Sequence, residues 1–238
     1  MSAPEWHKAL QAALKSHPKS TTFQLATWDA SLGRPRVRTH VSRGFITPAS
    51  APQLPLVLST VDIRTPKVAQ IASTDKVELT WWIEGTMEQF RIGGTAHVVP
   101  RPGHASGLHE TFLDAVKRAP AGSALAELAK DKIDWEKRRV DTFSSLSPGM
   151  KASWCRPSPG SPLSDYPDSP PESWATAVKG LDEGDEENKK NWDEALGNFA
   201  LLLIEPEDVD YVELGKKPDR RTLFKYADRR WSSTQAVP

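Results

Sequence analysis

Residues 76–99 read KVELTWWIEGTMEQFRIGGTAHVV. Val77, Leu79, Trp81 and Ile83 fall on every second position, a period that places them on one side of a strand over 76–83. A second run over 88–99 alternates Phe90 and Ile92 with Gln89 and Arg91, and Gly93-Gly94 predicts a bulge or bend within it. Strict alternation also sends Trp81 and Trp82 to opposite faces, so one indole of the pair is expected to point outward.

The same period continues upstream. Phe23, Leu25 and Thr27 mark a strand, Asp29–Gly33 a turn, RVRTHVSRGFI (36–46) a second strand and LPLVLST (54–60) a third. Thr65-Pro66 then opens a short helix, with Thr at the cap and Pro at the first helical position. Ahead of these strands, Trp6, Leu10, Ala13 and Leu14 have helical spacing, and His17-Pro18 ends that helix. Five strands within residues 23–99, joined mostly by turns, predict an antiparallel meander that curls into a barrel and so removes exposed edges.

Downstream the pattern changes. Leu108, Phe112, Leu113 and Val116 predict a helix, and Leu125, Leu128, Ile133, Trp135, Val140 and Phe143 further helical turns. Residues 156–190 are rich in Pro, Ser and charge; they are expected to form a flexible surface insertion anchored at Trp174 and Leu181. Strands return at 198–206 and 209–214, and TLFKYADRRW is expected to supply the last one. The reading is one domain over 1–238, mainly β (α+β).

Composition narrows the function. The 238 residues carry 31 basic and 31 acidic side chains, so there is no general pull toward nucleic acid or an anionic membrane. One cysteine, Cys155, excludes an intrachain disulfide, and six scattered histidines make no metal-ligand spacing. No run approaches the ~20 apolar residues of a membrane span, and the first residues do not read as a signal peptide. A soluble cytoplasmic protein is expected. Phosphate-loop, G-x-G-x-x-G, H-E-x-x-H and G-x-S-x-G patterns are absent.

Three clusters carry chemistry. Arg36, Arg38, His40 and Ser42 share one strand face; guanidiniums that close together suit an anionic ligand, although a solvated basic face paired with carboxylates gives the same pattern. Ser59–Lys67 brings hydroxyls, Arg64 and Lys67 to a helix N-terminus, a way to hold phosphate without a glycine loop, or simply a capped helix with exposed charges. Gln89 and Arg91 point the same way, and a glutamine amide matches the polar edge of a heterocycle as well as it does solvent.

In this order and spacing the clusters resemble the pyridoxamine 5′-phosphate oxidase-like FMN-binding split barrel. The resemblance rests on Gly33-Arg-Pro35-Arg-Val-Arg38 followed by Arg43, on Thr60, on Arg64-Thr65-Pro66-Lys67-Val-Ala-Gln70-Ile71, and on Gln89 ahead of Ile92-Gly93-Gly94-Thr95-Ala96. It implies a split antiparallel β-barrel with peripheral helices and FMN as cofactor. Arg38 and Thr39, with Thr60, Arg64, Thr65 and Lys67, would meet the phosphate end. Arg43 would lie along the isoalloxazine and Gln89 at its polar edge. Two chains would pair with FMN at their interface, where Arg221 would approach from the partner. Alternation places Arg38 and Arg43 on opposite faces, so one ligand reaches both only if the strand bends or a side chain curls over its edge. The R-x-H segment that holds substrate in the oxidase proper is replaced here by Lys217-Pro218-Asp219. The expected function is therefore an FMN-dependent oxidoreductase on an unidentified small molecule, with no catalytic residue or metal assigned. A pyridoxamine-phosphate oxidase with an altered clamp and a flavin-binding protein without turnover are the alternatives.

Overall fold

The strand-rich half of the sequence folds as its alternation dictates. A computed structural model describes residues 2–238. In chain order the main elements are α1 (Glu5–Ser16), β1 (Thr22–Asp29), β2 (Arg34–Val41), β3 (Phe45–Ile46), β4 (Leu56–Asp62), α2 (Pro66–Ser73), β5 (Lys76–Ile83) and β6 (Glu88–Val99). There follow α3 (Leu108–Arg118), α4 (Ala124–Leu128), α5 (Trp135–Ser144), α6 (Pro148–Ala152), α7 (Glu186–Asn198), β7 (Phe199–Glu213), β8 (Arg220–Ala227) and β9 (Arg230–Ala236). All strand pairs are antiparallel, in the order β2-β1-β5-β6-β7-β4-β3, with β8 on β7 and β9 on β8. The sheet curls without a closed ladder, which makes it a split barrel.

The predicted second strand is two strands. β2 pairs with β1, then the chain bends through Ser42–Gly44, where Gly44 takes φ +95°. β3 then pairs with β4, and the crossover is carried by Arg43 N–H donating to Leu58 O at 2.7 Å. One continuous segment thus passes from one half of the sheet to the other. The predicted bulge lies at Gly93/Gly94, where the β6–β7 register shifts. A Cβ on Gly94 would lie 2.1 Å from the Glu205 carbonyl oxygen, so only glycine fits.

Two apolar cores occupy the two faces of the sheet. Inside the barrel, Phe23, Leu25, Leu79, Trp81, Phe90, Ile92 and Leu202 are fully buried, with Trp6 and Leu10 of α1 closing one end. On the opposite face of β4 and β7, Leu58, Leu201 and Leu203 pack against Phe143, Trp154, Trp192 and Ala195 from the helices. This explains the unbroken apolar run FALLLI in β7: both of its faces are covered, so alternation disappears.

Several elements differ from the sequence expectation. The strands expected at 198–206 and 209–214 are one 15-residue strand. The last strand is a hairpin, β8–β9, turning at Asp228 and Arg229 with φ of 51° and 62°, the left-handed pair of a tight hairpin turn. The polar stretch before residue 198 contains α7, capped by Asp185 and held by buried Trp192 and Ala195. Between α6 and α7 the chain forms a strap of short 3-10 turns, and its fully buried anchor is Val178 rather than Leu181, which is exposed.

Candidate functional site

The bend between β2 and β3 places a cleft of about 580 Å³ at the seam where β2 approaches β4. One wall comes from the barrel: Thr39, His40, Val41 and Arg43 from β2 and its bend, Thr60 and Asp62 from β4, and Thr65 and Lys67 at the start of α2. The other wall comes from Met150 to Tyr166 and Trp174, the end of α6 and the strap. Its size falls within the range of small-molecule sites.

The charge in this cleft is unbalanced. Arg43 meets the Met150 sulfur at 2.7 Å, and its Nε is buried without a partner. Lys67 Nζ donates only to Thr65 Oγ1, at 3.3 Å. Arg156 lies over the Trp174 ring at 5.9 Å, and its Nε is likewise buried and unpartnered. Among the described residues none of these cations has a carboxylate in ion-pair range. The nearby acid, Asp62, is taken by Arg64 through contacts of 2.7 Å and 3.0 Å. Burial, and then the Arg38 charge, hold the Lys67 ammonium below its ordinary value. Half-buried cations without a carboxylate partner suit an anionic ligand.

His40 sits on the barrel wall of the cleft. Its ring is 6% exposed and stacks on Phe23, with centroids 5.8 Å apart. Its Nδ1 lies 3.2 Å from Ser59 Oγ, whose own proton goes to Val41 O at 2.9 Å. Burial, then the Lys67 and Arg38 charges, push the imidazole pKa down to about 3. The ring is therefore neutral at physiological pH.

Of the residues marked by the sequence, Thr39, Arg43, Thr60, Thr65 and Lys67 meet at the cleft. The others lie elsewhere. Arg38 stands beside Lys67 and His40, but its guanidinium donates to Thr27 Oγ1 at 2.5 Å, Gln70 Oε1 at 2.8 Å and Arg36 O at 2.9 Å. Arg64 turns away from the opening; besides Asp62 it holds the carbonyls of Arg156 at 2.9 Å and Trp154 at 3.2 Å. Gln89 and Arg221 are aligned across β7 at Val212, on the outer face of the sheet that also carries Trp82. There Arg221 pairs with Asp210 at 2.7 Å, and Arg91 pairs with the same carboxylate. The sequence reading missed the strap wall, because nothing local in a Pro- and Ser-rich stretch signals that it folds back over a strand seam. A partial signal was present in Trp174, an aromatic isolated in a polar segment.

The residues present fit FMN. Half-buried cations without carboxylate partners beside the start of α2 match a phosphate monoester, and the cleft leaves room beside them for a ring system. Comparison with known proteins agrees. Residues 3–100 match the family described as pyridoxamine 5′-phosphate oxidase, FMN-binding domain. The chain is 27% identical to pyridoxine/pyridoxamine 5′-phosphate oxidase 2 of Arabidopsis thaliana, over 98% of this chain and 96% of that protein. Its fold is similar to a pyridoxamine 5′-phosphate oxidase-related, FMN-binding protein of Nostoc punctiforme, with a TM-score of 0.66, 26% identity and full coverage of both chains. PhzG of Burkholderia lata, solved with tetrahydrophenazine-1-carboxylic acid, shares the fold alone, at a TM-score of 0.58 and 15% identity over 100% of this chain and 94% of that one. Residues 3–100 thus match the FMN-binding domain of the pyridoxamine 5′-phosphate oxidase family, and over its full length the chain resembles proteins of that family in sequence and in split-barrel topology.

Proposed function

We propose that this protein is an FMN-dependent oxidoreductase acting on a small molecule admitted to the cleft beside the strap. The observation that carries this reading is the convergence of Thr39, Arg43, Thr60, Thr65 and Lys67 on one cleft whose cations lack carboxylate partners. FMN, when bound, supplies the redox chemistry. Lys67 and the backbone N–H donors at the start of α2 after Pro66 would hold its phosphate, with Thr65, whose hydroxyl donates to Asp62 O at 2.7 Å, fixing the helix start and Arg38 contributing positive potential from behind. Arg43, at the bend, would lie toward the ring, where a fixed positive charge stabilises an electron-rich flavin. The strap, carrying Tyr166 and Trp174, would exclude water from the far side and give substrate an aromatic surface. The test is the visible spectrum of the purified protein, followed by reduction under nicotinamide cofactors and candidate substrates. A protein that purifies colourless and binds no added FMN refutes it.

Two chains are proposed to pair through the outer sheet face. Trp28, Val37, Trp82 and Leu223 are 43%, 63%, 39% and 41% exposed, and the strand registers place them on one side of the sheet together with Gln89 and Arg221. In that dimer Gln89 and Arg221 would act on FMN across the interface. A cytoplasmic location is proposed with it. Among the described residues no helix is long and apolar enough to cross a membrane.

A second reading, oxidation of pyridoxamine phosphate itself, is favoured by the similarity to the Arabidopsis protein. Against it, Lys217-Pro218-Asp219 lies in the turn between β7 and β8, where Lys217 faces Asp219 at 3.8 Å and solvent. Aldehyde formation from pyridoxamine phosphate decides between the two.

A further inference from the structure

Among the described residues sulfur occurs at Met87, Met150 and Cys155, and the structure surrounds each differently. Met87 is 48% exposed in the turn between β5 and β6, clear of the cleft. Cys155 donates to Asn191 O at 2.9 Å, and burial pushes its thiol up to about 11, so the reactive thiolate is scarce. Met150, half-buried on α6, lines the cleft and meets the Arg43 guanidinium, whose Nη2 donates to its sulfur at 2.7 Å. A thioether is a weak acceptor, so Arg43 has a poor partner at Nη2 and none at Nε. The sulfur keeps a second lone pair that Arg43 does not engage.

We propose that Met150 is a redox-sensitive modification site, where hydrogen peroxide forms the sulfoxide and so withdraws Arg43 from an anion in the cleft. The sulfur lone pair attacks one peroxide oxygen. The S–O bond forms as the O–O bond breaks, and the departing hydroxide takes the proton of the transferred oxygen and leaves as water. Sulfur is oxidised by the electron pair that reduces the peroxide. The sulfoxide oxygen carries partial negative charge and accepts a charge-assisted hydrogen bond from Arg43, about twice as strong as one between neutral groups. The flexible Met150 chain lets the larger group reseat. The guanidinium is then held on the helix wall, and a ligand anion must compete with the sulfoxide for its N–H groups. The loss of cofactor affinity rests on the FMN reading above, which also supplies an oxidant, since dioxygen reoxidising a reduced flavin yields peroxide. The modification itself does not rest on it.

The full-length protein is treated with dilute hydrogen peroxide, and the peptides carrying Met87 and Met150 are weighed by mass spectrometry. Met150 should gain one oxygen in the folded protein. FMN titration, read by flavin fluorescence before and after treatment, should show a loss of about three- to tenfold for the wild type. Methionine sulfoxide reductase should reverse it. Met150→Leu should show no loss on treatment, although its Met87 is oxidised as before. A second readout needs no flavin. In Arg43→Leu the sulfoxide lacks its donor, so treatment should lower the thermal midpoint by about 2–4 °C more than in the wild type. A Met150 that stays reduced while Met87 is oxidised overturns the proposal. So does an oxidised wild type that keeps its affinity, a Met150→Leu protein that loses as much, or an Arg43→Leu midpoint that falls no further. A wild type that binds no FMN before treatment fails at the FMN reading instead, and mass spectrometry and melting then decide the proposal alone.

Discussion

Arg64→Ala separates two roles for one arginine. The sequence pattern puts Arg64 among the phosphate ligands, whereas in the structure it pins the strap. Its guanidinium makes two hydrogen bonds to Asp62, at 3.0 Å and 2.7 Å, and donates to the carbonyls of Arg156 and Trp154 at 2.9 Å and 3.2 Å. The side chains of Arg64 and Asp62 are 24% and 10% exposed, so the pair is shielded but not dry. Truncation removes a charge-assisted pair worth about 1.5–3 kcal/mol and leaves Asp62 with an unpaired charge. Water reaching the opened site offsets part of this, which leaves a net loss of about 2–3 kcal/mol. For a domain of this size that lowers the thermal midpoint by about 4–12 °C. The strap should then be cut faster by protease within 156–174, because its carbonyls have lost their anchor. FMN affinity, measured by flavin fluorescence at a temperature where the variant is folded, should fall less than for Lys67→Ala. Lysine at position 64 should not rescue, since an ammonium cannot hold the carboxylate and both carbonyls at once. An Arg64→Ala protein with unchanged melting and protease resistance, but FMN affinity lost as in Lys67→Ala, refutes the strap-pin argument.

Four further outcomes follow from the same geometry. Lys67→Ala should weaken FMN binding by about ten- to a hundredfold, and Arg38→Ala by less, because Arg38 is already committed to Thr27 and Gln70; titration of both variants checks the order. His7 and His40 are buried neutral, with burial lowering their pKa values to about 4 and about 3. The unfolded chain therefore takes up their protons first, and stability should fall as pH drops below about 6.5, by up to about 1.4 kcal/mol per pH unit for each; denaturant midpoints across that range should fall less steeply for His7→Phe. Trp82→Glu should leave the barrel folded and convert dimer to monomer in sedimentation, since Trp82 is 39% exposed on the proposed pairing face. Replacing residues 160–174 by a Gly-Ser bridge should preserve folding, whereas a deletion reaching 190 should not, because it removes fully buried Val178 and the hydrogen bond from its N–H to Pro148 O at 2.9 Å; circular dichroism of the two deletions tests this.

Much of the barrel was legible in the sequence because its determinants are local. Alternation at Val77, Leu79, Trp81 and Ile83 needs no knowledge of the partner strand, and it placed Trp81 and Trp82 on opposite faces; the structure buries Trp81 and leaves Trp82 39% exposed. The Gly93-Gly94 bulge and the Thr65-Pro66 helix start are likewise written in two residues each. So was the cationic character of the segments that build the barrel wall of the cleft. Tertiary structure alone decided which of those cations remain available. Arg38, Arg64 and Arg221 look equivalent to Lys67 in sequence, yet in the fold Gln70, Asp62 and Asp210 engage them. The bend at Ser42–Gly44 put Arg43 at the seam, which strict alternation on a straight strand forbids. The strap, α7 and the β8–β9 hairpin were obscured for a related reason. Their polar residues match solvent in composition, and what holds them is a few distant contacts: Val178 in the helical core, Trp192 against Phe143, and Trp231 donating to Gln53 O at 2.8 Å. Periodicity records which side of an element is apolar; which charge stays unpaired depends on what the rest of the chain brings against it.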